Sequence, residues 1–260
     1  MRNVTKTLQM FAMILIAAFA FAVQGVAQTT LLTESFEGGT GQTPPAGWAV
    51  DLVSGSNYTY FNTSGTYPTC SPYDGTRMVE FQSWYASSGT VNRLKRTTPI
   101  STVGYTNLAV DFAWYEDPGY AGVLDRVEVQ WSTNGTTWTT AGTAFNRYNA
   151  VAGWKIKNQS LPAGAQGQAT LYIAFLFTSQ YGNNCHLDLA HLTGIGPPPP
   201  IYVTVGTGTT TVSYPYLTYW MDGRTQLLYS AAAITASGGS PGQISQIGFD
   251  VSSYSSQVMN

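Results

Sequence analysis

The clearest alternation of apolar and polar positions lies in residues 124–138. Five successive side chains alternate strictly in character: Val127, Glu128, Val129, Gln130 and Trp131. This period of two is typical of a β-strand with one buried and one solvated face, so Trp131 is expected in a core. Asn134-Gly135 then supplies residues that tolerate the positive φ of a tight turn. The pattern predicts a β-hairpin, which needs a second sheet to cover its apolar face.

Further strands are predicted on both sides of the hairpin. The segments with strand patterning are 31–37, 78–81, 91–94, 108–115, 154–157, 171–177 and 186–192. Segment 108–115 carries its large apolar residues on one face and is expected to be central, whereas 171–177 is apolar on both faces and fits the middle of the opposing sheet. The turn at 44–48 delivers Trp48 to the core, and the Tyr-rich segment 54–73 is predicted to be a long surface excursion. The predicted fold is all-β, a two-sheet antiparallel sandwich.

The two ends of the chain differ from this central part. Residues 1–27 have the parts of a secretory signal peptide: two basic residues, an apolar run at 10–23 and a small-residue cleavage site that ends at Ala27. The apolar run is shorter than the ~20 residues that span a bilayer, so no membrane span is expected after cleavage. Four prolines at 197–200 predict a stiff linker. They separate a sandwich domain at 28–196 from a second β domain at 201–260, expected to be incomplete because its few strands would bury little core.

Charge and cysteine content narrow the possible partners. The chain has 11 basic and 13 acidic residues, and two of the basic ones lie in the predicted signal peptide. The negative balance argues against nucleic acid as a partner. The two cysteines, Cys70 and Cys185, form a disulfide in one interpretation, since the chain is predicted to reach an oxidising compartment. Two separately buried thiols are the alternative, and no CxxC pair indicates a metal or nucleophilic role.

The sequence shows no catalytic motif. Its two histidines, His186 and His191, are an odd number of positions apart, so on a regular strand they would point to opposite faces and could not share a metal. The HExxH and GxxxxGK[ST] motifs are absent. Two carboxylates can catalyse glycoside hydrolysis, but the spacing of the acidic residues selects no pair. We therefore predict that the protein is not an enzyme.

Two acidic residues are candidates for calcium binding. Glu37 ends the first predicted strand and Asp188 lies in the last, so the two would be neighbours if those strands pair. Calcium is bound by carboxylate and carbonyl oxygens, often on loops. The alternative is that both are surface acids.

Clustered aromatic residues provide the second functional signal. Five of them crowd one stretch: Tyr58, Tyr60, Phe61, Tyr67 and Tyr73. A second group lies at 214–220. Flat aromatic faces beside Asn, Ser and Thr suit the recognition of a sugar or a protein. The alternative is that these rings cover hydrophobic strands in a charge-poor protein.

Several short motifs, in this order, resemble a known family. They are SFEGG at 35–39 with PAGW at 45–48, VQWSTNGTTW at 129–138 and GNNCHLD at 182–188. Residues 31–194 resemble the MAM-like jelly rolls of bacterial secreted surface proteins, which include cleaved-adhesin and "choice-of-anchor" domains. The resemblance implies a non-catalytic jelly roll with a structural calcium, whose ligands by position would be Glu37 and Asp188. One departure is Asp188-Leu189, where the family usually has two consecutive acids.

Together these features predict a secreted or cell-surface binding module. It would serve adhesion to an extracellular glycan or protein ligand. An accessory domain of a larger secreted protease or glycosidase is the alternative function, and a structural spacer is a third.

Overall fold

The computed structural model describes residues 28–197, 203–205, 228–239, 244 and 246–248. The chain divides into two compact units, residues 1–198 and 199–260, with the boundary inside the four-proline segment. The predicted signal peptide lies outside the described residues. Within the described ranges, no helix has the length and apolarity needed to cross a membrane.

The first unit is a sandwich of two antiparallel sheets. Its strands are β1 Gln28–Glu34, β2 Trp48–Ser54, β3 Thr59–Asn62, β4 Met78–Phe81, β5 Val91–Arg96, β6 Thr106–Glu116, β7 Arg126–Ser132, β8 Thr139–Thr140, β9 Phe145–Asn146, β10 Gly153–Ser160, β11 Tyr172–Thr178 and β12 Cys185–Ile195, with one 3₁₀ turn at Ala163–Ala165. The first sheet has the order β10-β6-β12-β4-β3, with β1 also on β12; the second has the order β2-β5-β11-β7-β8, with β9 also on β7. This architecture confirms the predicted all-β jelly-roll sandwich.

The inner faces of the two sheets enclose one aromatic-rich core. Every residue predicted on the inner face of β6 is buried: Leu108, Val110, Phe112 and Trp114. Strand β11 lies in the middle of the second sheet, as its apolar pattern predicted. Its Phe177 stacks on Phe81 of the first sheet with ring centroids 5.4 Å apart. Trp48 is also buried against this core, which confirms the prediction from the turn before it.

The predicted hairpin is present but short. Strand β7 pairs near its end with the two-residue strand β8. Val127 and Val129 are buried, whereas Trp131 is only partly buried against the core. Gly135 has the expected positive φ of 72°, but Asn134 does not. Asn134 instead stabilises the loop by accepting backbone N–H bonds through its side-chain oxygen.

The segment predicted to be a surface excursion contributes to the core. Residues Thr59–Asn62 form β3 and pair with β4 at the edge of the first sheet. Phe61 is fully buried there, so its predicted role in ligand binding is wrong. The following residues, 63–77, fold over the outer face of the first sheet, where Gly65 lies against His186. Four residues are too few to show a period in sequence, which is why β3 was missed.

A β-bulge in β12 changes the face on which its side chains lie. Between Asp188 and His191, β12 has one residue more than its partner β6, and Leu189 has a φ of 39°. As a result Leu187 and Leu192, five positions apart, both face the core. His186 and His191 therefore share the outer face, and the prediction that they point to opposite faces is wrong. A regular alternation cannot anticipate an extra residue.

The second unit contains a short helix, α1 Ala231–Ala236. Ser230 caps it, with its hydroxyl oxygen accepting the N–H of Ala233 at 3.1 Å. Residues 203–205 and 246–248 fall in predicted strands and are described without strand structure. The rest of the predicted second β domain, including the aromatic group at 214–220, lies outside the described residues.

The burial of Phe61 leads to a first prediction. Phe61→Ala should lower the free energy of unfolding by about 3–5 kcal/mol, because it opens a cavity in a packed core. The measurement is urea unfolding followed by circular dichroism. Tyr85→Ala is the control, since Tyr85 is 53% exposed and its loss should change stability by no more than about 0.5 kcal/mol. Equal stability of Phe61→Ala and wild type would contradict the core assignment.

Candidate functional site

Four aromatic side chains meet at one end of the sandwich. We call them the aromatic platform: Tyr67 from the β3–β4 connection, Trp84 and Tyr85 from the β4–β5 loop, and Tyr120 from the β6–β7 loop. Tyr67 stacks on Trp84 with ring centroids 4.5 Å apart. Tyr85 packs edge-on against Tyr67 at 5.8 Å, and Tyr120 packs edge-on against Trp84 at 5.5 Å. The three tyrosines are 43%, 53% and 46% exposed, so the platform presents aromatic surface to solvent.

A buried asparagine holds two of these loops together. Asn184 is fully buried, and its backbone N–H donates to the carbonyl of Tyr67 at 2.7 Å. Its side-chain oxygen accepts the N–H of Trp84 at 3.0 Å. Its side-chain NH₂ donates to Thr66 O at 3.0 Å and Glu80 Oε1 at 2.8 Å. One amide therefore uses donors and acceptor together to fix Tyr67 and Trp84 relative to each other.

Glu80 lies beneath the platform and is also fully buried. Its Oε1 accepts the N–H and the hydroxyl of Thr66 at 3.0 and 2.6 Å. Burial alone would raise the pKa of Glu80, but the adjacent His186 and the donors from Thr66 and Asn62 outweigh it and hold the pKa at about 2. The stabilisation from the charged carboxylate is therefore present above the ordinary pKa and is lost as the pH falls toward 2.

A second buried network holds the loop that carries Tyr120. Arg147 is fully buried and donates to Asp117 Oδ2 at 2.6 Å, while its Nε lies 3.4 Å from Asp125 Oδ2. It also donates to the carbonyl of Gly119 at 3.0 Å. The other oxygen of Asp117 accepts from the side chain of Asn183 at 2.8 Å, so the β6–β7 and β11–β12 loops are cross-linked. Removing one member would leave a buried charge without a partner, at a cost of about 3–5 kcal/mol.

Three tyrosines at this end have left-handed backbone conformations. Tyr67, Tyr120 and Tyr181 have φ values of 45°, 53° and 64°. Tyr181, in the β11–β12 loop, is 64% exposed. A bulky residue at positive φ is uncommon, and such conformations cost about 1–3 kcal/mol each. Such conformations persist only where the surrounding contacts compensate for the strain. Residues held in this way cluster at functional sites.

The structure separates the five residues predicted to bind a ligand. Only Tyr67 belongs to the platform. Tyr58 packs partly buried against the core, and Phe61 lies within it. Tyr60 alternates with Phe61 on β3 and is half-buried on the outer face, while Tyr73 packs there against Trp154 with centroids 5.9 Å apart.

Sequence reasoning missed three members of the platform. They are Trp84, Tyr85 and Tyr120. The adjacent pair Trp84-Tyr85 in a Ser- and Gly-rich loop between two predicted strands was the available signal. Tyr120 has no such local signature.

The two predicted calcium ligands face the same short segment. Strands β1 and β12 pair, as the prediction assumed. Glu37 accepts the N–H groups of Thr76 and Arg77 at 2.8 and 2.9 Å, and Asp188 accepts those of Tyr73 and Asp74 at 2.8 and 3.0 Å. Both carboxylates thus hold the 73–77 turn in place. In the part of the chain that the structure describes, no three His, Cys, Asp or Glu side chains converge as a metal site.

The two cysteines are free thiols. Cys185 points into the core between the sheets. Cys70 lies on the outer side of the first sheet, where its Sγ and His186 Nε2 both approach Gly65. The predicted Cys70–Cys185 disulfide is therefore wrong in this structure, because the sheet separates the two side chains. Burial raises the pKa of Cys70 to about 12 and that of Cys185 well above its ordinary value, so neither is a reactive thiolate.

Comparison with known proteins finds solved structures that are similar to this chain. No protein-family model and no curated protein matches the chain. The K3 cleaved adhesin domain of Lys-gingipain from Porphyromonas gingivalis is 20% identical with a TM-score of 0.43, over 64% of this chain and 99% of that one. TmCBM61 in complex with beta-1,4-galactotriose is 12% identical with a TM-score of 0.41, over 61% and 92% of the two chains.

A third similar structure is the CBM22-1 xylan-binding domain from Paenibacillus barcinonensis Xyn10C. It is 15% identical with a TM-score of 0.41, over 66% of this chain and 98% of that one. Cleaved-adhesin domains, which the sequence resembles, are thus among the similar structures. The sandwich itself is established by the strand pairing of this chain.

The burial of Asp188 leads to a second prediction. Burial, with a smaller contribution from Asp74, raises the pKa of Asp188 from 3.8 to about 6. The charged form therefore destabilises the folded state above about pH 6, and this penalty disappears as the pH falls through both values. Asp188→Asn keeps an acceptor oxygen without the charge. In the presence of a chelator, Asp188→Asn should have a higher melting temperature than wild type at pH 8. Near pH 4 the two melting temperatures should be equal.

The control for this prediction is Glu37→Gln. The pKa of Glu37 is lowered, chiefly by the hydrogen bond from Thr76, so its substitution should not raise the melting temperature at pH 8. An Asp188→Asn protein less stable than wild type at pH 8 would contradict the burial penalty. Calcium binding stays a prediction, which the same assay tests. If it occurs, calcium raises the melting temperature of wild type and not of Asp188→Asn; equal melting in calcium and chelator contradicts it.

Proposed function

We propose that the first unit is a non-catalytic binding module that recognises a glycan on its aromatic platform. The observation that carries the proposal is the joint placement of Tyr67 and Tyr120. Both are substantially exposed, both are held at positive φ, and both lie on loops fixed by fully buried polar side chains. The two rings are exposed, and a rigid support holds them in strained conformations. This suits the pre-organised recognition of a ligand better than a role in which the rings merely cover the core.

The chemistry of the platform favours a sugar ligand. Pyranose rings present apolar C–H faces that pack on aromatic rings, together with hydroxyl groups that need hydrogen-bond partners. Tyrosine offers both a flat face and a hydroxyl at a low entropic cost. The surrounding loops add polar, uncharged and exposed side chains, including Ser87, Ser88 and Gln180. A neutral, amphipathic surface of this kind suits a neutral glycan.

The predicted signal peptide suggests where the module acts. We propose that the protein acts outside the cell or on its outer surface, in adhesion. Recognition of an extracellular protein by the same platform is the second form of this function. A role as accessory domain of a larger secreted protease or glycosidase is compatible with either form, because such a domain would use the same surface.

A third prediction tests the platform. Tyr120→Ala and Tyr85→Ala should each weaken glycan binding about tenfold, because each removes an exposed ring that contacts the ligand. A glycan array of the full chain identifies the ligand, and calorimetry with the strongest binder measures the change. The matched control is Tyr73→Ala, since Tyr73 is 45% exposed but lies off the platform, and it should bind as wild type does.

The outcomes separate the alternatives. Full binding by the platform variants with loss of binding in Tyr73→Ala would move the site to the outer face of the first sheet. Binding only to extracellular proteins, with the same sensitivity to Tyr120→Ala, would replace the glycan by a protein ligand. If the protein binds neither glycans nor extracellular proteins, the remaining function is that of a structural spacer.

A further inference from the structure

Four loops at one end of the sandwich reverse the usual placement of charged and apolar residues. They are the β4–β5, β6–β7, β9–β10 and β11–β12 loops, which all join strands at the end that carries the aromatic platform. Their charged residues are Asp117, Asp125 and Arg147, and all three are buried. Charged side chains are commonly exposed and large apolar ones buried, so this reversal points to a partner.

The exposed side chains of these loops include two aliphatic ones. Leu124, in the β6–β7 loop, is 51% exposed, and Val151, in the β9–β10 loop, is 63% exposed. We call these two residues the apolar tips. Four exposed tyrosines lie on the same loops: Tyr85, Tyr120, Tyr148 and Tyr181. Single exposed apolar residues are ordinary, but a group of them on neighbouring loops marks an interaction surface.

Hydrogen bonds place these loops side by side. The N–H of Arg147 donates to the carbonyl of Asp125 at 2.8 Å, and the N–H of Asn149 donates to the carbonyl of Asp117 at 3.0 Å. The β9–β10 loop therefore contacts both ends of the β6–β7 loop. The N–H of Gly182 donates to Asp125 Oδ1 at 3.3 Å, which brings the β11–β12 loop to the same place. The exposed apolar residues thus share one end of the molecule.

The residue types of this surface favour a lipid bilayer over a protein partner. Leucine and valine are under-represented among the hot spots of protein–protein interfaces. Protein interfaces also use exposed charges for specificity, and the three charges of these loops are buried. Aliphatic side chains suit hydrocarbon instead. Tyrosine is enriched at membrane–water interfaces, where its ring is in an apolar setting and its hydroxyl is hydrated.

From this arrangement we infer that the loop end of the sandwich docks on the surface of a neutral lipid bilayer. Leu124 and Val151 enter the boundary between headgroups and acyl chains, and the neighbouring tyrosines lie at the level of the headgroups. Anionic lipid is not required, because these loops expose no cation that could attract it. Arg126, which follows the β6–β7 loop, is already paired with Glu128 at 3.3 Å.

Docking on a bilayer does not depend on the proposed glycan function. The apolar tips lie outside the aromatic platform, and an aliphatic side chain in the bilayer needs no sugar. Both functions can hold together, because Tyr120 of the platform lies on the same loop as Leu124. A glycan on the platform would then lie beside the bilayer.

Sedimentation with lipid vesicles tests the docking. The chain is used from Gln28 onward, because the apolar run of the predicted signal peptide would bind vesicles by itself. We expect it to sediment with phosphatidylcholine vesicles, and equally well when phosphatidylserine is added or salt is raised, since apolar contacts are not screened. Absence of binding to phosphatidylcholine overturns the inference. Binding that requires phosphatidylserine and falls with salt overturns it as well.

Variants at exposed positions locate the surface. Leu124→Ser and Val151→Ser should each weaken vesicle binding about tenfold, because each withdraws aliphatic carbon from the bilayer. Val103→Ser is the matched control, since Val103 is 60% exposed but lies in the β5–β6 loop at the opposite end of the sandwich. It should bind vesicles as wild type does. Wild-type binding by both tip variants, or an equal loss in Val103→Ser, overturns the assignment.

Two further results separate this inference from its alternatives. If the glycan array finds no ligand while Val151→Ser loses vesicle binding, the platform proposal fails and the bilayer inference stands. Leu124→Ser should keep wild-type affinity for any glycan that the array does find. If the wild-type chain forms a dimer that Val151→Ser abolishes and binds no vesicles, the partner is a second copy of the chain, and the bilayer inference is overturned.

Discussion

The buried guanidinium of Arg147 is the interaction on which the loop end of this sandwich depends. Removal of a charge from water is costly unless partners surround it, and here Asp117 and Asp125 provide them from both ends of the β6–β7 loop. Asp125 also accepts from Ser83 and the backbone of Gln180. Three connections that are distant in sequence are thus joined by one charged cluster. The position of Tyr120 in the aromatic platform depends on this cluster, whereas Asn184 fixes Tyr67 and Trp84.

The same use of polar groups recurs on the outer face of the first sheet. Glu37, Glu80 and Asp188 each accept backbone N–H groups from the 63–77 segment. A segment without regular structure cannot satisfy its own N–H groups, so acids from the neighbouring strands do so. This explains why residues that look like cation ligands in sequence act as acceptors for a loop in the fold.

Particular residues show what could be read from the sequence. The inner face of β6, the middle position of β11 and the burial of Trp48 all followed from side-chain size and alternation, since a strand places every second side chain on one face. The same rule failed at β12, where Leu189 adds a residue and brings His186 and His191 to one face. For the site, only Tyr67 was anticipated. Its neighbours come from separate loops, and no local pattern reports a contact between them.

The fold class followed from the sequence alone, because a two-residue period recurs along 31–192 with no helical pattern that could cover a sheet, so a second sheet must bury the apolar faces. Only the tertiary structure shows which side chains are accessible and which of them lie together. It placed Cys70 and Cys185 on opposite sides of a sheet, moved Phe61 from a surface cluster into the core, and joined Tyr67, Trp84 and Tyr120 through Asn184 and Arg147. The physical reason is that burial and hydrogen bonding depend on which distant segments meet, and local alternation carries no information about that.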